Sequence, residues 1–93
     1  MNVSENERRL RSAGYELERS GAGKRLWRHL DTGRVLPEDH AMELVRREEE
    51  RRLEEAGWEP VGSGGDRYWR RPDSGYLYPR GQAYDVMRRL EGR

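Results

Sequence analysis

The sequence predicts an α+β fold built twice. Each copy is a three-stranded antiparallel sheet packed on helices, in the order αβββαβββα with the central helix shared. Three observations predict it. The phrase "RLWRHLDTGRVLP" at residues 25–37 returns as "RYWRRPDSGYLYP" at residues 67–79. The stretch "ERRLRSAGYE" at residues 7–16 returns as "ERRLEEAGWE" at residues 50–59. Within each copy, short alternating segments lie between glycine turns and helix signals. Repeats on this scale mark one supersecondary unit used more than once. The units fall at residues 1–48 and 49–93. Trp27 then corresponds to Trp69, Asp31 to Asp73, Gly33 to Gly75, Pro37 to Pro79 and Ala41 to Ala83. A unit of roughly 45 residues buries little surface by itself, so the copies are expected to support each other.

The elements follow in order. Ser4 is a helix N-cap, with Glu7 placed to reach back to it as in a capping box. The short helix that follows turns Leu10 and Ala13 inward and stops at Gly14. "YELERS" alternates as a strand does, and "GAG" at residues 21–23 is a turn. "KRLWRHL" is the second strand, Asp31-Thr32-Gly33 the hairpin and "RVL" the third strand. Pro37 opens the next helix, with Glu38 and Asp39 in a first turn that favours acids. That helix reads as continuous through residue 56, with a break between residues 46 and 52 as the alternative. Ala41, Leu44 and Val45 share one direction, while Leu53 and Ala56 point roughly 100° away. The charged stretch from Arg46 to Arg52 is expected to be a solvated bridge with pairs such as Glu48–Arg52. In the second unit "WEPV", "DRYWRR" and "YLY" are the strands, and Pro60 places the first at an edge. Ala83, Val86, Met87 and Leu90 form the apolar stripe of the last helix, which Gly92 ends.

Composition narrows the class. The chain of 93 residues is 32% apolar and 40% charged, so its few large residues must anchor the core. A buried aromatic removes about 150–250 Å² from water, a gross gain of about 4–6 kcal/mol. Trp27 and Trp69 are therefore expected inside. There is no Cys, which excludes disulfides, thiolate nucleophiles and Cys-bound zinc. The segment "MNVSENERRL" lacks the apolar core of a signal peptide. No apolar run approaches the roughly 18 residues of a membrane span. A cytoplasmic location without membrane partners is expected.

Charge is uneven although the net value is only +1. Residues 19–36 hold five basic groups and one acid, residues 37–59 four basic groups and nine acids, and residues 60–93 seven basic groups and four acids. Arg supplies all the basic side chains except Lys24, and its fork suits phosphates and carboxylates. In the second strands, Arg25, Trp27 and His29 share a face opposite Leu26, Arg28 and Leu30. Arg67, Trp69 and Arg71 do the same opposite Tyr68, Arg70 and Pro72.

Two function classes follow. The first is a non-enzymatic nucleic-acid-binding protein, such as a small regulator, with DNA preferred to RNA. Arg25, Arg28, Arg34, Arg67, Arg70, Arg71 and Arg80 would carry it through phosphate contacts. The second is a protein-interaction module, acting as an adaptor, an inhibitor or a homodimer. Tyr76, Tyr78 and Tyr84 would serve it, being of a type enriched at interface hot spots. No catalytic constellation, cofactor motif or metal spacing is visible. His29 and His40 have Arg71 and Gln82 at the corresponding places and read as surface residues. Glu48, Glu49 and Glu50 read as a solvated helix face.

The unit containing "LRSAGYELERSGAGKRLWRHLDTGRVLP" resembles the HicA-type mRNA interferase toxins, which have a double-stranded-RNA-binding-like fold. Those toxins carry a catalytic His just after the glycine turn. Here that place holds Gly23-Lys24 in one unit and Gly65-Asp66 in the other, and neither supplies an imidazole base. The resemblance therefore implies a catalytically silent binding scaffold. The stretch "YWRRPDSGYLYPRGQA" is similar to the arm-site DNA-binding domain of tyrosine integrases. The layout of Gly57-Trp58, Tyr68, Pro72 and Gly75 is similar to the methyl-CpG-binding domain. Both of these imply a small sheet laid into a DNA groove.

Overall fold

A computed structural model describes residues 4–21, 23–62 and 67–92. The elements run α1 (Glu5–Ser12), β1 (Tyr15–Gly21), β2 (Lys24–His29), β3 (Val35–Pro37), α2 (Glu38–Glu55), β4 (Glu59–Val61), β5 (Tyr68–Arg70), β6 (Leu77–Pro79) and α3 (Arg80–Glu91). This is the αβββαβββα order. The chain divides into two compact units, Met1–Arg46 and Arg47–Arg93, with the division inside α2. That helix is unbroken. The predicted turn residue Ala22 and the pair Gly65-Asp66 lie outside the described residues.

Ser4 caps α1 by accepting from the Glu7 backbone N–H at 3.1 Å. Glu7 does not turn its carboxylate back to complete a capping box. It meets Arg25 at 3.2 Å and Arg11 at 3.9 Å instead. Charged partners hold it more strongly than a neutral backbone donor would.

Each sheet is antiparallel, with orders β1-β2-β3 and β4-β5-β6. The registers match around the tryptophans, although β1 carries a register shift between Leu17 and Arg19 that β4 lacks. Trp27 lies opposite Leu17 and Leu36, and Trp69 lies opposite Pro60 and Tyr78. Edge strand β4 accommodates Pro60, as its missing N–H requires. The hairpins close identically: the His29 N–H donates to Arg34 O and the Arg71 N–H to Tyr76 O, both at 2.8 Å. Gly33 and Gly75 sit at φ +76° and +77°, a conformation that L side chains disfavour.

The core of unit 1 is Leu10, Tyr15, Trp27, Leu36, Ala41 and Val45, flanked by Leu17, Met42 and Leu44. The core of unit 2 is Leu53, Trp58, Trp69, Ala83 and Met87, flanked by Tyr78, Tyr84 and Val86. Trp27 and Trp69 are both fully buried. The first half of α2 therefore serves the first core, and its second half supplies Leu53 to the second.

Several expectations need correction. Ala13 and Ala56 are exposed, because each follows the last helical residue, where the chain turns away at a glycine. Leu90 is exposed as well. Helix α3, about 18 Å long at 1.5 Å per residue, outruns three-residue strands that extend only about 10 Å. The stretch from Arg46 to Arg52 is only partly a solvated bridge. Arg51 does pair with Glu48 and Glu55 on its exposed side. Glu49, however, is only 4% exposed, and Glu50 reaches Arg67 at 2.6 Å.

Candidate functional site

The inner face of each sheet places an arginine beside the core tryptophan. Alternation along β2 puts Arg25 and Trp27 on one side, and the Arg25 guanidinium lies 5.7 Å from the indole centroid. Arg25 meets Glu38 at 2.6 Å and Glu7 at 3.2 Å. The Trp27 indole Nε1–H donates to Glu38 Oε1 at 2.9 Å. Burial pushes the Glu38 carboxyl up, but the hydrogen bonds from Arg25 and Trp27 and the Arg25 charge outweigh it. The net effect holds Glu38 below its ordinary value.

Unit 2 repeats half of this arrangement. The Arg67 guanidinium lies 5.5 Å from the Trp69 centroid and meets Glu50, the counterpart of Glu7, at 2.6 Å. The counterpart of Glu38 is Arg80, which donates from Nε to Glu49 at 3.1 Å. Glu49 in turn stands where unit 1 has Asn6, itself a hydrogen-bond donor to Glu38. The polar pair has thus been exchanged, from Asn6 and Glu38 to Glu49 and Arg80. A guanidinium accepts no hydrogen bonds. Trp69 Nε1 is left buried with no partner among the described residues.

The outer faces also match row by row. Glu16, Arg28 and Val35 lie side by side across unit 1, as do Glu59, Arg70 and Leu77 across unit 2. Arg28 meets Glu16 at 3.5 Å and Glu18 at 3.3 Å. Arg70 meets Glu59 at 3.5 Å. A second row joins Leu26 to Pro37, and its counterpart joins Val61, Tyr68 and Pro79. Val35, Tyr68 and Leu77 are exposed on these faces, and Leu30 is exposed just beyond β2.

The remaining candidate residues disperse. Arg71 closes on Asp73 in its own hairpin at 2.5 Å; that hydrogen bond and charge hold the Asp73 carboxyl below its ordinary value. Arg34 is exposed and forms no ion pair among the described residues. Of the three tyrosines, only Tyr76 is freely exposed, at 67%. Tyr78 packs on Trp58 with ring centroids 6.0 Å apart. Tyr84 accepts from Arg52 at 2.9 Å and from Arg88 at 3.4 Å. His29 is a structural residue: its Nδ1 accepts from the Thr32 N–H at 3.3 Å, and its ring meets Tyr15 edge-on at 4.8 Å.

An open cleft of about 450 Å³ lies at the start of α2, lined by Gly23, Lys24, Arg25, Pro37, Glu38 and Asp39. Its two cations and two acids balance. Among the described residues no group of His, Asp and Glu is arranged to hold a metal ion. No described helix is long and apolar enough to cross a membrane. No family model, curated protein or solved structure matches this chain.

The feature that sequence reasoning missed is the unequal treatment of the two indoles. A signal for it was present. Trp27 and Trp69 are identical in the repeat, whereas positions 38 and 80 are Glu and Arg.

Proposed function

We propose that the chain is a non-enzymatic protein-interaction module that recognises its partner through the open outer faces of its sheets. The observation that carries this reading is the pairing of Arg28 and Arg70 with strand glutamates, on faces that also expose Val35, Tyr68 and Leu77. An aromatic and aliphatic surface with locally balanced charge and accessible Arg has the composition of a protein interface. Six of the seven candidate arginines already hold a carboxylate within 4 Å, Arg34 being the exception. A phosphate would meet guanidinium groups whose charge is already offset by those carboxylates.

Nucleic-acid binding, with DNA preferred to RNA, is the second reading. Arg19, Lys24 and Arg34 of unit 1 favour it, since none of them forms an ion pair among the described residues. Salt dependence separates the readings. Three phosphate contacts give a slope of log K against log salt of about −3, and seven give about −6. The interaction reading expects no measurable binding to duplex or single-stranded oligonucleotides at physiological salt. It also expects a stoichiometric protein partner, resistant to nuclease, that Tyr68→Ser and Leu77→Ser variants no longer retain. Tight duplex binding with a slope near −6, abolished by Arg28→Ala and Arg70→Ala, would overturn it in favour of DNA.

A further inference from the structure

We infer that unit 2 takes a carboxylate from outside the chain at the start of α3, in the position that Glu38 fills from within in unit 1. The inference does not depend on the partner class proposed above. It begins with the unpartnered donor. Trp69 is fully buried, and its indole N–H has no acceptor among the described residues. A buried donor without a partner is destabilising, so its place in so small a core calls for a ligand.

Unit 1 shows what that ligand is. Trp69 holds the place in β5 and β6 that Trp27 holds in β2 and β3, so it sits beside the start of α3 as Trp27 sits beside the start of α2. There Glu38 accepts from Trp27 at 2.9 Å and pairs with Arg25 at 2.6 Å. In unit 2 the corresponding donors, Trp69 and Arg67, are both present, and among the described residues no carboxylate accepts from Trp69. The surroundings also favour an anion. Helix α3 has no acid in its first turn and no side-chain cap, whereas α2 begins with Glu38 and Asp39. An uncapped helix start offers free N–H groups and the positive end of the dipole. Arg80 adds a second guanidinium.

Among the described residues two acids face the site. Glu50 takes one bond from Arg67 and Glu49 takes one from Arg80. A guanidinium has five N–H donors, so each arginine retains donors for an incoming carboxylate.

Acetate is the direct probe, with a blocked Gly-Glu-Gly peptide as the second arm, read by the indole N–H resonances at constant ionic strength. The expected result is a saturable downfield shift of the Trp69 resonance, with Trp27 unmoved because Glu38 already occupies its place. Saturation by either probe supports the site, and the tighter of the two identifies the source as a free or a protein-borne carboxylate. The double variant Glu49→Asn/Arg80→Glu transplants the arrangement of unit 1. Its Trp69 resonance is expected to sit at the acetate-bound position without acetate and to lose its response. Three results would overturn the inference. One is an equal response to chloride. Another is a response to inorganic phosphate but not to acetate. The last is a Trp69 resonance that already lies at the Trp27 position in the free protein and does not move.

Discussion

Units 1 and 2 share a register, a hairpin and a core, yet differ in how they treat the indole at the centre. Trp27 donates to a charged acceptor that is itself held by Arg25. Trp69 has the same burial and an equivalent arginine but no acceptor among the described residues. The difference arises from one exchange, in which Asn6 and Glu38 become Glu49 and Arg80. That exchange keeps a polar link between the same two helical positions while reversing its direction. The fold of such a unit therefore depends on the indole as bulk and not on the hydrogen bond its edge makes.

The strongest test of that lesson removes the bulk. Trp27→Ala and Trp69→Ala are each expected to cost about 3–5 kcal/mol, enough to lose the dispersed amide signals of the unit that carries the change. Tolerance of either substitution would break the equivalence of the two cores.

A smaller change keeps the bulk and removes the donor. Trp27→Phe should cost about 1.5–3 kcal/mol more than Trp69→Phe, since only the former gives up a hydrogen bond to a charged group. Denaturant unfolding of the two variants measures the difference, and equal losses would show that Trp69 has an acceptor after all. The reverse experiment sharpens the comparison. Glu49→Asn/Arg80→Glu should stabilise unit 2 by about 1 kcal/mol, by supplying the missing acceptor.

Acid should divide the units as well. Glu38 is held below its ordinary value of 4.5, so its contribution is fully present above that value. It is lost as the pH falls through the lower value of the folded state. The Trp27 indole resonance should report this loss in acid, and the Trp69 resonance should show no matching step. A common titration of both indoles would contradict the exchange.

The smallest effects belong to the outer faces. Arg28→Ala and Arg70→Ala remove exposed pairs, so each should change stability by less than about 1 kcal/mol. Thermal unfolding would show this. A larger loss in either would mean that the paired rows hold the sheet together rather than present it.

The parts of this molecule that are local in sequence were legible there. The repeat set the number of units, the glycines at positions 33 and 75 set the hairpins, and the scarcity of large apolar residues placed Trp27 and Trp69 inside. The continuity of α2 was the expected reading with a break between residues 46 and 52 left open beside it, and the structure shows one helix. Charge was misread for a physical reason. Counting it over residues 19–36 cut Glu16 and Glu18 away from Arg28, which lies beside them only once β1 and β2 pair. Ionic attraction acts over a few ångströms between side chains, and the partners here lie far apart along the chain. Arg25 finds Glu7, Arg67 finds Glu50 and Arg80 finds Glu49. Sequence by itself determined the duplicated framework, because turns and periodicity are properties of neighbouring residues. Tertiary structure decided which arginines are neutralised and showed which indole lacks an acceptor among the described residues, because both depend on what the folded chain brings within hydrogen-bonding distance.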